Sequence, residues 1–167
     1  KIFTKEKAVT TLGMLVCGKH PGDHLGFRSQ VHGYVDIAQE IAQDKQDLCD
    51  NILPLMEGSL AYLLRNIQVG VSVVAGGSYR PQYPEEVLRE TVNNALAHRD
   101  YAIDRQVIIT IKPGEHFSIM NPGTFRRHLL IETTQKPILR RIIPEAKPRN
   151  PKLADVLRVF RKWEGNG

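Results

Sequence analysis

The residues Glu90 and Asn94 sit in the run Glu90-Thr-Val-Asn-Asn94-Ala-Leu-Ala-His98-Arg-Asp-Tyr101. Side chains four apart lie one above the other on a helix. A carboxylate beside a carboxamide oxygen can orient a water and share a hard cation with a phosphate. The run reads as a helix with these two groups on one face and a His98-Arg99-Asp100-Tyr101 tail. The bland alternative is a solvated face, because Leu88, Val92, Ala95 and Leu96 form an apolar stripe nearly opposite. Two consecutive asparagines, Asn93 and Asn94, are poor helix formers and weaken that alternative.

Further candidates follow. Asn121-Pro-Gly123 ends a strand pattern and can bring backbone amides near the same face; alone it is also an ordinary turn. Arg149-Asn-Pro151 precedes a helical pattern, so a cation stands beside free helix N–H groups that can meet an anion. Glu164-Gly-Asn-Gly167 is a glycine-rich turn able to approach phosphate closely, or a frayed end.

Several chemistries are excluded. His98-Arg99-Asp100 is like a kinase catalytic-loop tripeptide, but the chain has no glycine-rich nucleotide loop and no Asp-Phe-Gly. His20, His24, His32, His116 and His128 show no zinc spacing with the two cysteines. Neither a Gly-x-Ser-x-Gly elbow nor a Walker loop occurs.

The elements that would position these groups are mixed. A helix is expected over about 5–16, capped by Thr4, then a strand from Gly26 to Tyr34. Asp44 to Ile67 reads as one helix kinked or split at Pro54, and Val69 to Ala75 as a strand. Pro84 opens the helix that carries Glu90. Gln106 to Lys112 and Phe117 to Met120 form a hairpin around Pro113-Gly-Glu-His. Pro151 opens a last helix after Asn150 as cap, with Leu153, Val156, Leu157 and Phe160 inward. Helices mixed with an antiparallel pair give an α+β fold, not a doubly wound sheet.

The 167 residues allow one domain, 41% apolar and 25% charged, with no run long enough to span a bilayer. Cys17 and Cys49 fit buried thiols in a reduced, cytoplasmic protein. The net charge of +5 is uneven: residues 126–162 hold eleven basic and three acidic side chains, a local +8. That segment points to a polyanion partner, such as nucleotide, DNA or an acidic protein face, or to a solvated basic surface. Both ends look cut, so a fragment of a longer protein is expected.

Taken together, Tyr83-Pro84, the Leu88 to Tyr101 run, Ile119-Met-Asn-Pro-Gly123, Arg149-Asn-Pro151 and Trp163-Glu-Gly-Asn-Gly167 carry a resemblance. With Cys17-Gly-Lys-His-Pro21 upstream, they resemble the bacterial and archaeal group labelled RecG-related ATP-dependent DNA helicase, also known as divergent-AAA or Schlafen-AlbA transcriptional regulators. No helicase motor motif accompanies that label. The region is similar to the ATP-binding domain shared by gyrase, heat-shock chaperones, histidine kinases and MutL (GHKL).

The resemblance implies a GHKL-like (Bergerat) two-layer sandwich of helices on a mixed, largely antiparallel sheet. Residues 1–78 would lead into a nucleotide-binding core over 79–167. Glu90 would activate water in a possible ATPase, and Asn94 would hold Mg²⁺ against ATP. His98, Arg99, Asn121, Gly123, Arg149, Gly165 and Gly167 would complete the cofactor-binding set. The resemblance departs at Asn121, where the family has an Asp for the adenine amino group. Gly165 and Gly167 fall at the very end, which leaves the phosphate lid incomplete. The implied role is a DNA-associated transcriptional regulator, with oligomer formation possible. The alternative is a non-catalytic nucleic-acid or protein interaction module that uses segment 126–162.

Overall fold

In a computed structural model of the chain, residues 8–38, 40–67, 83–124 and 148–164 are described, with side chains as far as 160. The helices are α1 (Thr11–Cys17), α2 (Pro21–Leu25), α3 (Ile52–Ile67), α4 (Glu85–Ala97) and α5 (Pro151–Glu164). The strands are β1 (Gln30–Val35), β2 (Gln43–Cys49), β3 (Val107–Lys112) and β4 (His116–Met120). The strands form one sheet in the order β2-β1-β3-β4. β1 is antiparallel to β2 and parallel to β3, and β3 is antiparallel to β4. The fold is α+β, with helices on a mixed sheet. The sheet takes strands from both sides of residue 78, because β1 lies beside β3.

Alternation explains which face is covered. Val31, Gly33 and Val35 of β1 stand level with Val107, Ile109 and Ile111 of β3, and all six are buried. Phe117 and Ile119 of β4 extend that face through their pairing with Ile111 and Ile109. α3 covers it with Ile52, Leu55, Met56, Leu60, Tyr62, Leu63 and Ile67. α4 packs beside α3 and adds Leu88, Val92 and Leu96. Gly33 is required by close approach: a Cβ there would lie 2.6 Å from the Tyr62 ring. The Tyr62 hydroxyl donates to the Asp44 carbonyl at 3.0 Å, which pins β2 to α3.

Several expectations are corrected. The first helix starts at Thr11, because the Thr10 hydroxyl accepts from the Gly13 amide at 3.1 Å and caps it there. Thr4, the expected cap, lies outside the described residues. Gly26–Ser29 is a 3-10 turn, and the strand starts only at Gln30. Residues 44–49 are not helix. They form strand β2, at the edge of the sheet among the described residues, where pairing with β1 overrides the helical preference of Lys45, Gln46 and Leu48. Its mostly exposed, charged side chains discourage pairing of this edge with other chains. α3 then begins at Ile52, and Pro54 sits in its first turn, where a missing N–H costs nothing.

Both cysteines are exposed, against the expectation of buried thiols. Cys17 ends α1, and Cys49 points away from the sheet face that holds Leu48. Phe160 is 38% exposed, whereas Leu153 is buried as expected. The strand read over 69–75 lies outside the described residues. No helix among the described residues is long and apolar enough to cross a membrane.

Candidate functional site

α4 displays its polar pair by burying the opposite stripe. Leu88, Val92 and Leu96 are each 2% exposed or less, while Glu90 and Asn94 are exposed. Glu85 and Glu86 occupy the first turn, where carboxylates oppose the positive end of the helix dipole. Arg89 bridges to Glu85 at 2.7 Å. Asn94 Nδ2 donates to Glu90 Oε1 at 3.0 Å. The two side chains therefore touch, and the carbonyl branch of the Asn94 amide is the one turned away from the carboxylate.

The tail of α4 divides in two. His98 is exposed, and its amide donates to the Asn94 carbonyl at 2.9 Å. Arg99 turns inward and is fully buried. Its Nη2 donates to the carbonyls of Ile103 (3.2 Å) and Arg105, and its guanidinium stands 5.4 Å from the centre of the Tyr101 ring. Burial lowers its pKa, but arginine stays protonated at neutral pH. Its Nε and Nη1 have no partner among the described residues. Tyr101 donates to the Leu96 carbonyl at 2.9 Å, and burial pushes its hydroxyl pKa well up. The structure thus places Arg99 inside the protein, not on the face of Glu90 and Asn94.

The exit of β4 comes back to this tail. The Asp100 amide donates to the Pro122 carbonyl at 3.1 Å. Gly123 has φ of +125°, and a Cβ there would lie 3.0 Å from the Asp100 Cβ. Asn121 is half-buried, and its Oδ1 is a buried acceptor without a donor among the described residues. Arg149 Nη1 bonds Asp100 Oδ2 at 2.9 Å, and its Nη2 donates to the Thr124 carbonyl. Asn150 Nδ2 donates to the carbonyls of Ala97 (2.9 Å) and Arg99 (2.8 Å).

The structure thus brings together the α4 tail, Asn121 to Gly123 and Arg149, with Glu90 and Asn94 further up the same helix. Gly165, Gly167 and residues 126–147 of the basic segment lie outside the described residues. Two residues of this cluster escaped the sequence reading. Asp100 is the carboxylate partner of Arg149. The sequence marks Asn150 only as a cap for α5, and its carbonyl does accept the Ala154 amide at 2.9 Å. Its side chain instead closes the end of α4, about fifty residues away, and no local pattern signals that.

Among the described residues no group of three or more His, Cys, Asp or Glu is placed to hold a metal. An open groove of about 460 Å³ runs between α3 and α4, lined by Glu57, Leu60, Ala61, Leu64, Glu85 and Arg89. It includes none of the candidate residues.

No family model matches the chain, and no curated protein matches it either. A solved structure, the DIP2311 protein from Corynebacterium diphtheriae, is similar with a TM-score of 0.63 and 18% identity. The match covers 94% of this chain and 30% of that one, so this chain spans less than a third of its length. At that identity the likeness concerns the fold alone.

Proposed function

We propose that the chain is a Mg²⁺-dependent ATP-binding domain of the GHKL type, in a DNA-associated regulatory protein. The observation that carries this reading is the contact between Asn94 and Glu90 on the exposed face of α4, at 3.0 Å. A carboxylate and a carboxamide oxygen are hard donors that suit magnesium together with phosphate oxygens. When bound, the ion neutralises phosphate charge. Asn94 Oδ1 is the ligand from this chain. Glu90 receives the amide hydrogen of Asn94 on one oxygen and can hold a water on its carboxylate. Asn121 supports the reading from the other side. Its Oδ1, buried and without a donor among the described residues, suits an amino group such as that of adenine. The fit is chemical: it uses the donor set present and needs no third carboxylate.

Removing the metal tests the proposal. Chelation of Mg²⁺ should abolish saturable ATP binding by the folded chain. ATP affinity unaffected by chelation would count against the site.

A second reading, a polyanion-binding module, rests on the +8 charge of residues 126–162 and on Lys152 and Arg158, both exposed on α5. Duplex DNA affinity that falls steeply between low and moderate salt would support it, because phosphate contacts release counterions. Salt-independent or absent binding would remove it. The two readings are compatible in one protein.

A further inference from the structure

We infer that Arg149 and Asn150 are positioning residues: a two-residue clamp that holds the α4 turn bearing Asn94 and the Asn121 to Gly123 turn in one frame. This moves Arg149 from the ligand-contacting set to the frame behind it. The functional consequence rests on the nucleotide-binding reading; the clamp itself does not.

Three chain segments meet here: the end of α4, the exit of β4 and the start of α5. The Arg149 guanidinium is planar and rigid, so the two groups its fork holds are set at a fixed spacing. Those groups are the Asp100 carboxylate, at 2.9 Å, and the Thr124 carbonyl. The amide of the same Asp100 donates to the Pro122 carbonyl at 3.1 Å, which ties the turn to the α4 tail a second time. Gly123 threads the gap. A Cβ there would lie 3.0 Å from the Asp100 Cβ and 3.9 Å from Arg149 Cζ.

Asn150 holds the other side. The last carbonyls of a helix lack partners within it. Asn150 Nδ2 supplies donors to two carbonyls at the end of α4, those of Ala97 and Arg99, and so engages both of its hydrogens. Its own carbonyl accepts the Ala154 amide. One residue therefore ends α4 and begins α5. Asn94 belongs to that last turn of α4, since its carbonyl accepts the His98 amide.

Asp100→Asn separates a clamp from a phosphate contact by sign. If Arg149 gripped a phosphate, removing the competing carboxylate would leave ATP binding unchanged or tighter. A clamp loses its charged half, and binding weakens by about tenfold. Arg149→Gln and Asn150→Ala should weaken Mg-ATP binding in the same direction. Arg149→Lys, which keeps the charge and loses the fork, should do so nearly as much, and stands in if Arg149→Gln does not fold.

The experiment is calorimetric titration of Mg-ATP into these variants, with amide hydrogen exchange at His98 and Asp100, whose amides bond the Asn94 and Pro122 carbonyls, on the same samples. Weaker binding in Asp100→Asn with faster exchange at the backbone amide of residue 100 is the expected result. Equal or tighter binding in Asp100→Asn overturns the positioning role. If the unaltered chain binds no Mg-ATP, the nucleotide reading falls and the positioning role with it. Exchange then judges the clamp alone, and unchanged protection at the Asp100 amide in both Arg149→Lys and Asn150→Ala overturns it.

Discussion

The amide nitrogen of Asn94 lies 3.0 Å from Oε1 of Glu90, one helical turn away on the exposed face of α4. The contact orients the amide so that its oxygen is the branch available to a cation. Glu90→Ala removes the carboxylate proposed to hold water and releases the Asn94 amide, but deletes no proposed cation ligand. Nucleotide binding should survive that change within a few-fold, while any ATP turnover falls by at least about 10²-fold, the scale of a lost general base. Titration calorimetry and phosphate release separate the two effects. Equal loss of both would mean that Glu90 serves binding.

Gly33 should tolerate no side chain. A Cβ would lie 2.6 Å from the Tyr62 ring, and the ring is held by its hydroxyl bond to the Asp44 carbonyl. Gly33→Ala should cost about 1–3 kcal/mol, as overpacking of a filled core does. Urea denaturation measures the loss, and an unchanged midpoint would show that Tyr62 moves aside freely.

Gly123→Ala combines two costs: φ of +125° and a Cβ 3.0 Å from Asp100. A destabilisation of about 1–3 kcal/mol is expected for forcing a side chain into that backbone region. The same denaturation assay reads it. No change would mean that the turn after β4 relaxes to another conformation.

Much of the fold was legible in the sequence. α4 was plain because Pro84 opens it and Leu88, Val92 and Leu96 keep a strict helical stripe. The β3–β4 hairpin was plain because Pro113-Gly114 separates two apolar runs. β2 was not, because its stability comes from pairing with β1, while Gln43, Lys45 and Gln46 carry local preferences that favour helix. In the site, Glu90 and Asn94 were legible because four-residue spacing is a local rule. The placement of Arg99 was not, since an arginine after a helix gives no sign of turning into the core. Nor were the bonds from residues 149 and 150 to residues 97–100, which depend on tertiary contact.

Asp44 should make stability depend on acid pH. Hydrogen bonds from Arg65 and Asn66 hold its carboxyl below the ordinary value of 3.8. A carboxylate with a depressed folded pKa contributes stability above its unfolded pKa and loses it as pH falls through the folded one. The contribution should therefore be complete at neutral pH and fade below about pH 4. It should be small, because both charged partners are about half exposed. The urea midpoint of Asp44→Asn should lie below that of the unaltered chain at pH 7 and approach it near pH 3. A constant gap across that range would contradict this origin.

The central claim is tested most directly by calorimetric titration of ATP, with and without Mg²⁺, into this chain and into Asn94→Ala. The account predicts saturable binding that requires Mg²⁺ and is lost in Asn94→Ala while the variant stays folded. Binding that persists in Asn94→Ala, or that ignores Mg²⁺, would contradict it.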